Sequence, residues 1–314
     1  MAGLFDREPD GLYWDCMITT NGNRNLAGIG FMVLGMLGMG GVDAFGKWLV
    51  TADYSPIQVI AVRGWMITAA MLIWALASGR ARQLTTRRPA AHGVRILVSI
   101  CGPLFMFTAL ASLPLADVTV VIFGSPFVTA ALAVPLFAER VGRHRWAAIA
   151  IGFLGVAIAM RPGSDLFRPE ILFAVAAGIS FAGINLTARW LRDTETTFQL
   201  VFFLMAGITV IASLGLPFVW RPMPLTDLVL FGGMAAASLF GYIFMTHAFV
   251  VAPLGVVAPF EYTVLIWAVI WGFVIWGELP GAFIWSGAAV IVASGLYLLH
   301  REVKAGKPDQ AGAS

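Results

Sequence analysis

A few ionisable residues interrupt long apolar stretches of this sequence, and these residues are the first candidates for chemistry. Asp43 and Lys47 lie in one stretch, Arg63 lies in the next, and Glu261 lies in a much later one. A charged side chain in an apolar environment costs free energy, so such residues mark sites for ions, protons or polar ligands. Their types and spacing therefore indicate binding and charge exchange rather than covalent catalysis.

Asp43 and Lys47 are four residues apart, which places both side chains on one face of a helix. Asn185 and Arg189 repeat this spacing in the second half of the chain. The first pair either forms a local ion pair or contacts a ligand directly. Asp43 lies deeper in its stretch than Lys47, so it is the better candidate for a proton or cation site. Because Asn185 is uncharged, we expect only one half of the chain to bind the ion.

Arg63 lies early in the second apolar stretch and is followed by Trp65. We favour the interpretation that its guanidinium extends to lipid headgroups, as long cationic side chains near a membrane surface do. The alternative is that Arg63 is a counter-ion for Asp43 or for an anionic group of a ligand.

Glu261 is the most informative of these residues because Pro259 lies two positions before it. Pro259 has no backbone amide to donate, so it interrupts the hydrogen-bond ladder of a surrounding helix. A carboxylate beside an interrupted helix is expected to face a hydrated cavity, where it can take up and release a proton. The alternative is a structural ion pair between Glu261 and Arg63, Lys47 or Arg189.

Two further residues are candidates for the same kind of site. Tyr262, next to Glu261, either stacks on a planar ring of a ligand or packs within the protein. Pro126, which follows Gly124 and Ser125, loosens an analogous segment of the first half. Pro126 and Pro259 are therefore candidate helix breaks.

The sequence has no pattern typical of an enzyme or of a cofactor site. His92, His144, His247 and His300 are scattered without the spacing of metal ligands. No glycine-rich loop ending in Lys and Ser or Thr is present to cradle a nucleotide phosphate. No nucleophile, base and metal ligand cluster at one depth. We therefore expect no catalytic residues, no metal and no cofactor.

Apolar stretches long enough to cross a membrane position these residues. Of 314 residues, 59% are hydrophobic and 12% are charged, whereas soluble domains carry roughly a quarter charged residues. A bilayer core of about 30 Å needs roughly 20 apolar helical residues. The ten candidate stretches, of which the fifth is the shortest, are residues 26–50, 56–78, 94–112, 115–137, 146–160, 169–191, 198–220, 225–250, 254–276 and 282–300. The sequence therefore predicts an all-α membrane protein with ten transmembrane helices.

Arginine and lysine residues in the connecting segments predict the orientation of the chain. With a cytoplasmic N-terminus, the cytoplasmic segments carry fifteen of the 20 Lys and Arg residues, and the outer segments carry three. Both termini are therefore expected in the cytoplasm, with tails at residues 1–25 and 301–314. The Arg-rich and Ala-rich composition indicates a bacterial protein, and hence the inner membrane.

The two halves of the chain resemble each other. A shift of 142 residues places Asp43, Lys47 and Trp48 on Asn185, Arg189 and Trp190, and a shift of 139 places Pro114 and Glu139 on Pro253 and Glu278. Matching Pro, Glu and Trp residues favour duplication over chance similarity. Because each half has five helices, the second half enters the membrane from the opposite side. The sequence thus predicts two inverted five-helix repeats, at residues 26–161 and 162–300. The two glutamates are expected to act as helix caps or as partners of nearby arginines.

Each half ends in a helix pair rich in glycine and alanine with a glutamate at the turn, at residues 114–159 and 253–295. In this respect the chain resembles the EamA family of the drug/metabolite transporter superfamily over about residues 26–300. The resemblance implies a ten-helix fold with a central cavity and alternating access. It also implies that members export amino acids and drugs or import vitamins and nucleotide-like metabolites. The segments EILFAVAAGISFAGIN and APFEYTVL are similar to members that move S-adenosylmethionine or riboflavin.

Together these observations predict a secondary transporter of a small metabolite in the bacterial inner membrane, with proton coupling as a hypothesis. The expected partners are the lipid bilayer and a substrate such as an amino acid, a vitamin, an S-adenosylmethionine-like compound or a drug. The small net charge of +3 argues against nucleic acid. Small residues at four-residue spacing favour internal packing and leave a homodimer open. The alternatives are a non-transporting membrane sensor or assembly partner and, less favoured, a membrane-embedded enzyme.

Overall fold

A computed structural model gives the protein as a bundle of α-helices. The structure describes residues 22–137, 142–161, 168–191 and 194–305, and no residue in these ranges lies in a β-strand. Residues 1–21 and 306–314, which make up most of the two predicted tails, lie outside the described residues. The helices are α1 (Gly22–Thr51), α2 (Pro56–Ala77), α3 (Pro89–Leu110), α4 (Leu115–Ile122), α5 (Ser125–Phe137), α6 (Arg143–Met160), α7 (Ile171–Leu191), α8 (Thr197–Val219), α9 (Leu225–Val251), α10 (Leu254–Val257), α11 (Thr263–Trp276) and α12 (Ala282–Ala305), with 3₁₀ turns at Ala81–Leu84 and Ala258–Tyr262.

Within the described ranges, nine segments are long and apolar enough to cross a membrane. Two of them are composite: Leu115–Phe137 joins α4 and α5, and Gly255–Trp276 joins α10, the second 3₁₀ turn and α11. The fifth predicted span lies in α6, where the apolar part is only Trp146–Met160. This part rises roughly 22 Å, short of the bilayer core of about 30 Å. The structure therefore has nine candidate spans and one shorter apolar helix where the sequence predicted ten spans.

Local sequence signals explain where several helices begin and end. Ser55 caps α2 by accepting a backbone hydrogen bond at 3.3 Å, and Pro56 occupies the first turn, where no amide is needed. Thr196 and Gln199 form a capping box at the start of α8. Helix α11 ends at Gly277, whose φ of 67° is a left-handed conformation that glycine adopts without strain.

Helix α3 begins earlier than the sequence predicted. It starts at Pro89 rather than at residue 94, because a proline is well tolerated in the first turn of a helix. As a consequence Arg95, which the sequence analysis counted with the cytoplasmic connecting segments, lies inside α3 and is only 4% exposed.

The main helix packing joins the first half of the chain to the second. Helix α1 packs against α9, α2 against α8, α3 against α7, and α6 against α12. The largest core cluster takes its buried side chains from both halves. The approach of α1 to α9 is close at Gly38, where an added Cβ would lie 2.7 Å from the Gly241 Cα. The two halves are therefore interleaved rather than side by side.

Contacts between connections define two ends of the bundle. Tyr54, just after α1, donates a hydrogen bond to Asp227 at the start of α9. We call this the Thr51 end, and it corresponds to the predicted outer side. At the opposite end Thr86, which follows the first 3₁₀ turn, donates a hydrogen bond to Glu195 between α7 and α8. We call this the Ala77 end.

Candidate functional site

A polar centre lies in the bundle where α1, α2 and α9 meet. Asp43 of α1 and Arg63 of α2 are both partly buried and attract each other electrostatically. The Arg63 Nε donates a hydrogen bond to the Ser238 Oγ at 3.1 Å, and Tyr242 follows one turn later on α9. The Arg63 guanidinium is therefore directed into the bundle, towards α9. This direction does not agree with the headgroup interpretation that the sequence favoured.

Lys47 does not form the local ion pair with Asp43 that their spacing permits. Its ammonium pairs with the Glu278 carboxylate and donates a hydrogen bond to the Leu113 carbonyl oxygen at 3.1 Å. The Trp276 ring lies over the same ammonium, with its centroid 4.8 Å away. Since these groups surround the charge, Lys47 holds helices together at the Thr51 end and does not line the polar centre.

Glu278 acts as a helix cap as well as an ion-pair partner. Its Oε2 accepts a hydrogen bond from the Leu115 amide at 3.1 Å, at the start of α4. A carboxylate at a helix N-terminus is stabilised by the unpaired amides and by the helix dipole. The sequence predicted that Glu278 is a helix cap or a partner of a nearby arginine. Glu278 is a helix cap, and its cationic partner is Lys47 rather than an arginine. The repeat mate, Glu139, lies outside the described residues.

Asn185 and Arg189 are not close to the polar centre in this structure. Both are exposed on α7, which packs against α3, α4 and α5 rather than against α1. The Arg189 guanidinium lies over the Phe137 ring, 4.7 Å from its centroid. The structure therefore places these two predicted site residues on a separate part of the bundle from Asp43.

Glu261 lies in the 3₁₀ turn between α10 and α11 and is partly exposed. Among the described residues, no cation is paired with its carboxylate. The three cations that the sequence offered as its partners contact other groups, as described above. The structural ion pair that was the alternative for Glu261 is therefore not formed.

The two predicted helix-break residues lie beside interruptions of the composite spans. Pro126 is the second residue of α5, just after the gap that separates it from α4, and Pro259 is the second residue of the 3₁₀ turn. Because proline has no amide to donate, a helix that continued through either position would lack one hydrogen bond of its ladder. The rings of Phe123 and Tyr262 lie 5.3 Å apart, so the two interruptions are in contact.

Tyr262 packs within the protein in this structure. Its hydroxyl lies against Gly295 of α12, where an added Cβ would overlap with it. On one side of Tyr262 is a cavity of about 620 Å³. The cavity is lined mainly by apolar residues of α4, α11 and α12, including Ile284 and Val292, and neither Asp43 nor Glu261 lines it. Asp43 and Glu261 are therefore not part of this apolar cavity.

Two indole groups of α11 lie beside α1 near the polar centre. The Nε1 atoms of Trp267 and Trp271 are buried and have no hydrogen-bond partner among the described residues. A Cβ added to Gly40 would lie 2.9 Å from the Trp267 Cβ and 3.7 Å from the Trp271 Nε1. Gly40 precedes Asp43 by three residues and so shares its helix face. The two indoles, whose N–H groups have no partner among the described residues, therefore lie beside the part of α1 that directly precedes Asp43.

Comparison with known proteins decides what kind of protein holds this site. Residues 26–161 match the EamA-like transporter family. The first half of the chain is therefore similar to this family. The chain is 29% identical over 284 residues to an S-adenosylmethionine uptake transporter of Rickettsia conorii, with 89% of this chain and 95% of the relative covered. It is also 27% identical over 224 residues to a riboflavin transporter of Rhizobium johnstonii, and this match covers 70% of this chain and 74% of the relative. A protein crystal structure has the same fold, with a TM-score of 0.56 and 16% identity over 87% of this chain and 99% of that one.

These matches confirm the resemblance to the EamA family that the sequence indicated. The chain is a multi-pass membrane protein, and the family that it resembles and its relatives are named as transporters of small molecules rather than as enzymes.

The two indoles were not predicted from the sequence because tryptophan in an apolar helix usually packs or anchors at an interface. A buried polar cluster at the Ala77 end was not predicted either. The Arg95 Nη1 donates hydrogen bonds to the Ile184 carbonyl oxygen at 2.7 Å and to the Thr187 Oγ1 at 3.0 Å. The His92 Nε2 lies 3.8 Å from the Glu195 Oε1. The only available signal was that His92 and Arg95 are three residues apart and would share a face if the helix began early.

Proposed function

We propose that this protein is a secondary transporter that carries a small zwitterionic metabolite through the bundle, with S-adenosylmethionine as the first candidate substrate. The observation that carries the proposal is the pair of opposite charges at the polar centre, Asp43 and Arg63, inside two helices of membrane-spanning length. Ionisable groups at this depth mark the path of polar ligands.

The polar centre offers a complementary group for each part of S-adenosylmethionine. The Arg63 guanidinium suits a carboxylate, which it can bind with two parallel hydrogen bonds. The Asp43 carboxylate attracts an ammonium or a sulfonium group. The indoles of Trp267 and Trp271 provide planar faces for the adenine ring and N–H donors for its nitrogens. The Rickettsia conorii relative is named for uptake of this compound, which supports the choice.

Alternating access is the mechanism we propose for this movement. The interleaved packing of the two halves, with α1 on α9 and α3 on α7, supports two inverted repeats around a central site. Interrupted spans provide points at which one part of such a bundle can tilt against another, and the two interruptions here are in contact through Phe123 and Tyr262. We place both termini in the cytoplasm of a bacterial cell, from the Lys and Arg distribution.

Proton coupling through Glu261 is the finer part of the proposal. Its carboxylate lies in an interrupted span and has no paired cation among the described residues. A carboxylate in this position can be neutral in one conformation and charged in the other, which would couple its proton to the motion.

The test is uptake of labelled S-adenosylmethionine into liposomes that contain the purified protein. We expect Arg63→Met and Asp43→Asn each to lower uptake by about tenfold or more, because each removes a charged hydrogen bond to the substrate. Glu170→Gln is the matched control, since it neutralises an exposed carboxylate in a connection, and it should transport normally. Uptake that is unchanged in both site variants would refute the proposed binding site.

Glu261→Gln tests the coupling separately. We expect this variant to exchange substrate across the membrane without concentrating it when a pH gradient is imposed. Normal accumulation by Glu261→Gln would rule out the proton mechanism and leave the substrate site untouched.

A further inference from the structure

The ion pair between Lys47 and Glu278 connects three separate parts of the chain at the Thr51 end. Lys47 belongs to α1 in the first half, and Glu278 follows α11 in the second half. Between them lies the segment that leads into α4: Leu113, two residues before the helix, contacts Lys47, and Leu115, its first residue, contacts Glu278. The contact therefore spans both halves of the molecule and one end of a composite span.

The two charged side chains bind different backbone groups of the turn that leads into α4. Lys47 donates to the Leu113 carbonyl oxygen, while Glu278 accepts from the Leu115 amide. The Lys47 side chain is 4% exposed and that of Glu278 is 26% exposed. Separating the pair while it stays buried would leave an uncompensated charge, whereas separating it as water enters lets both charges become hydrated. The ion pair is therefore stable while it is buried, and it can separate and form again when water enters that end of the bundle.

A related contact occurs at the other end of the bundle. Arg189 lies over Phe137, as Lys47 lies over Trp276, at 4.7 and 4.8 Å from the ring centroids. The cations are related by the 142-residue shift and the aromatic residues by the 139-residue shift that align the two halves. In each case a cation of one half rests on the last aromatic residue of a composite span from the other half. The repetition argues that the contact at the Thr51 end has a role in the cycle beyond local stability.

We propose that Lys47, Glu278 and the first turn of α4, which we call the α4 latch, close the Thr51 side of the protein and separate whenever the polar centre opens to that side. The proposal rests on the alternating-access function proposed above. It assigns Lys47 to gating, so that a substrate passes this residue but is not bound by it.

The experiment measures how fast a buried cysteine near the latch reacts with a charged maleimide in detergent, where both ends of the bundle are accessible. Cys16 and Cys101 are replaced by serine, and Ala44→Cys is the reporter, because Ala44 is 4% exposed and precedes Lys47 by one helical turn. We expect Lys47→Met and Glu278→Gln each to raise the labelling rate about tenfold or more, since each leaves one charge without its partner. Glu278→Gln keeps an acceptor for the Leu115 amide, so it separates the ion pair from the helix cap.

Two controls make the result specific. Lys47→Arg keeps the charge and should stay slow, and Arg221→Gln removes a cation at the same end outside the latch and should also stay slow. A second reporter, Ala212→Cys in α8, is buried away from the latch and should not accelerate in any variant.

The proposal would be overturned if the Ala44→Cys reporter reacted at an unchanged rate in both Lys47→Met and Glu278→Gln. Equal acceleration in Arg221→Gln or at position 212 would overturn it as well, because the effect would then be general loosening. The labelling needs no substrate, so it can succeed even if S-adenosylmethionine is not transported. Conversely, normal transport together with unchanged labelling would refute only the latch.

Discussion

The rings of Phe123 and Tyr262 lie 5.3 Å apart at the place where the two interrupted spans of this protein touch. Phe123 directly follows α4, and Tyr262 directly precedes α11. Their positions differ by 139 residues, the same shift that aligns the ends of the two halves. A tilt at one interruption would therefore displace a ring that packs on the other.

The packing of Tyr262 on α12 gives the first prediction. We expect Gly295→Ala to destabilise the protein by about 1–3 kcal/mol, because the new Cβ would overlap with the Tyr262 hydroxyl. Tyr262→Phe removes that hydroxyl and should recover part of the loss, although the ring carbon stays close. Thermal unfolding of both single variants and the double variant measures this. Strictly additive effects would show that the two residues do not meet.

The contact between α1 and α9 gives a second prediction with an internal control. Gly38→Ala should destabilise by about 1–3 kcal/mol, because the added Cβ would meet the backbone of Gly241, which cannot move aside. Gly30, in the same helix, has no neighbour within 4 Å of an added Cβ. Gly30→Ala should therefore be neutral or stabilising by up to about 1 kcal/mol, as alanine is the better helix former. Equal melting temperatures for the two variants would contradict the close approach.

The charges of the polar centre should be coupled. Asp43→Asn removes the negative charge that attracts the Arg63 guanidinium, and Arg63→Met removes the positive charge that attracts the Asp43 carboxylate. We expect the double variant to be more stable than the sum of the single effects predicts, by about 1–3 kcal/mol. Denaturant unfolding in detergent gives the three values. A coupling energy near zero would mean that the two charges are solvated independently.

The hydrogen bond from Tyr54 to Asp227, 2.6 Å long, ties the first connection to α9. Tyr54→Phe should lower the free energy of unfolding by about 1–3 kcal/mol, because it removes a bond to a charged acceptor. Burial, and then the bond to Asp227, raises the pKa of Tyr54 from its ordinary value of 10.0 to about 12. The neutral phenol is therefore favoured in the folded state, and its contribution is full below pH 10 and lost as the pH rises through about 12.

This pH dependence is measured by comparing melting temperatures of the parent and Tyr54→Phe from pH 9 upward. The difference between the two proteins should shrink as the pH approaches 12. A difference in melting temperature that stays constant over this pH range would show that ionisation of Tyr54 does not affect the stability of the fold.

Several of these features could be read from the sequence, and others could not. Apolar length located nine membrane-spanning segments, because lipid imposes a minimum length on every span. The start of α3 was missed because the residues between Pro89 and Arg95 are not apolar enough to mark a span. The α4/α5 gap and the 3₁₀ turn lie beside the two prolines that were singled out, since a missing amide is visible in a sequence.

The partners of the charged residues were the least predictable part. Spacing along one helix placed Asp43 and Lys47 on one face, yet Lys47 pairs with Glu278, which is 231 positions away. Which distant group reaches a buried charge depends on how helices from the two halves cross, and periodicity within one helix does not contain that information. For the same reason, Arg63 was assigned to headgroups although Ser238 of α9 lies within hydrogen-bond distance.

The short helix α6 has a consequence for the membrane around the protein. Its apolar part, Trp146–Met160, faces outward with Ile151 and Leu154 more than one-third exposed. At roughly 22 Å it leaves a hydrophobic mismatch of about 8 Å against a typical bilayer core. The bilayer beside α6 must become thinner, or its lipid chains must tilt, so that the chains do not contact polar groups. The bilayer beside the longer helices needs no such adjustment. We therefore expect the protein to deform a bilayer of typical thickness unevenly, and a movement of α6 with α12 would do work against lipid acyl chains whose length sets the resistance.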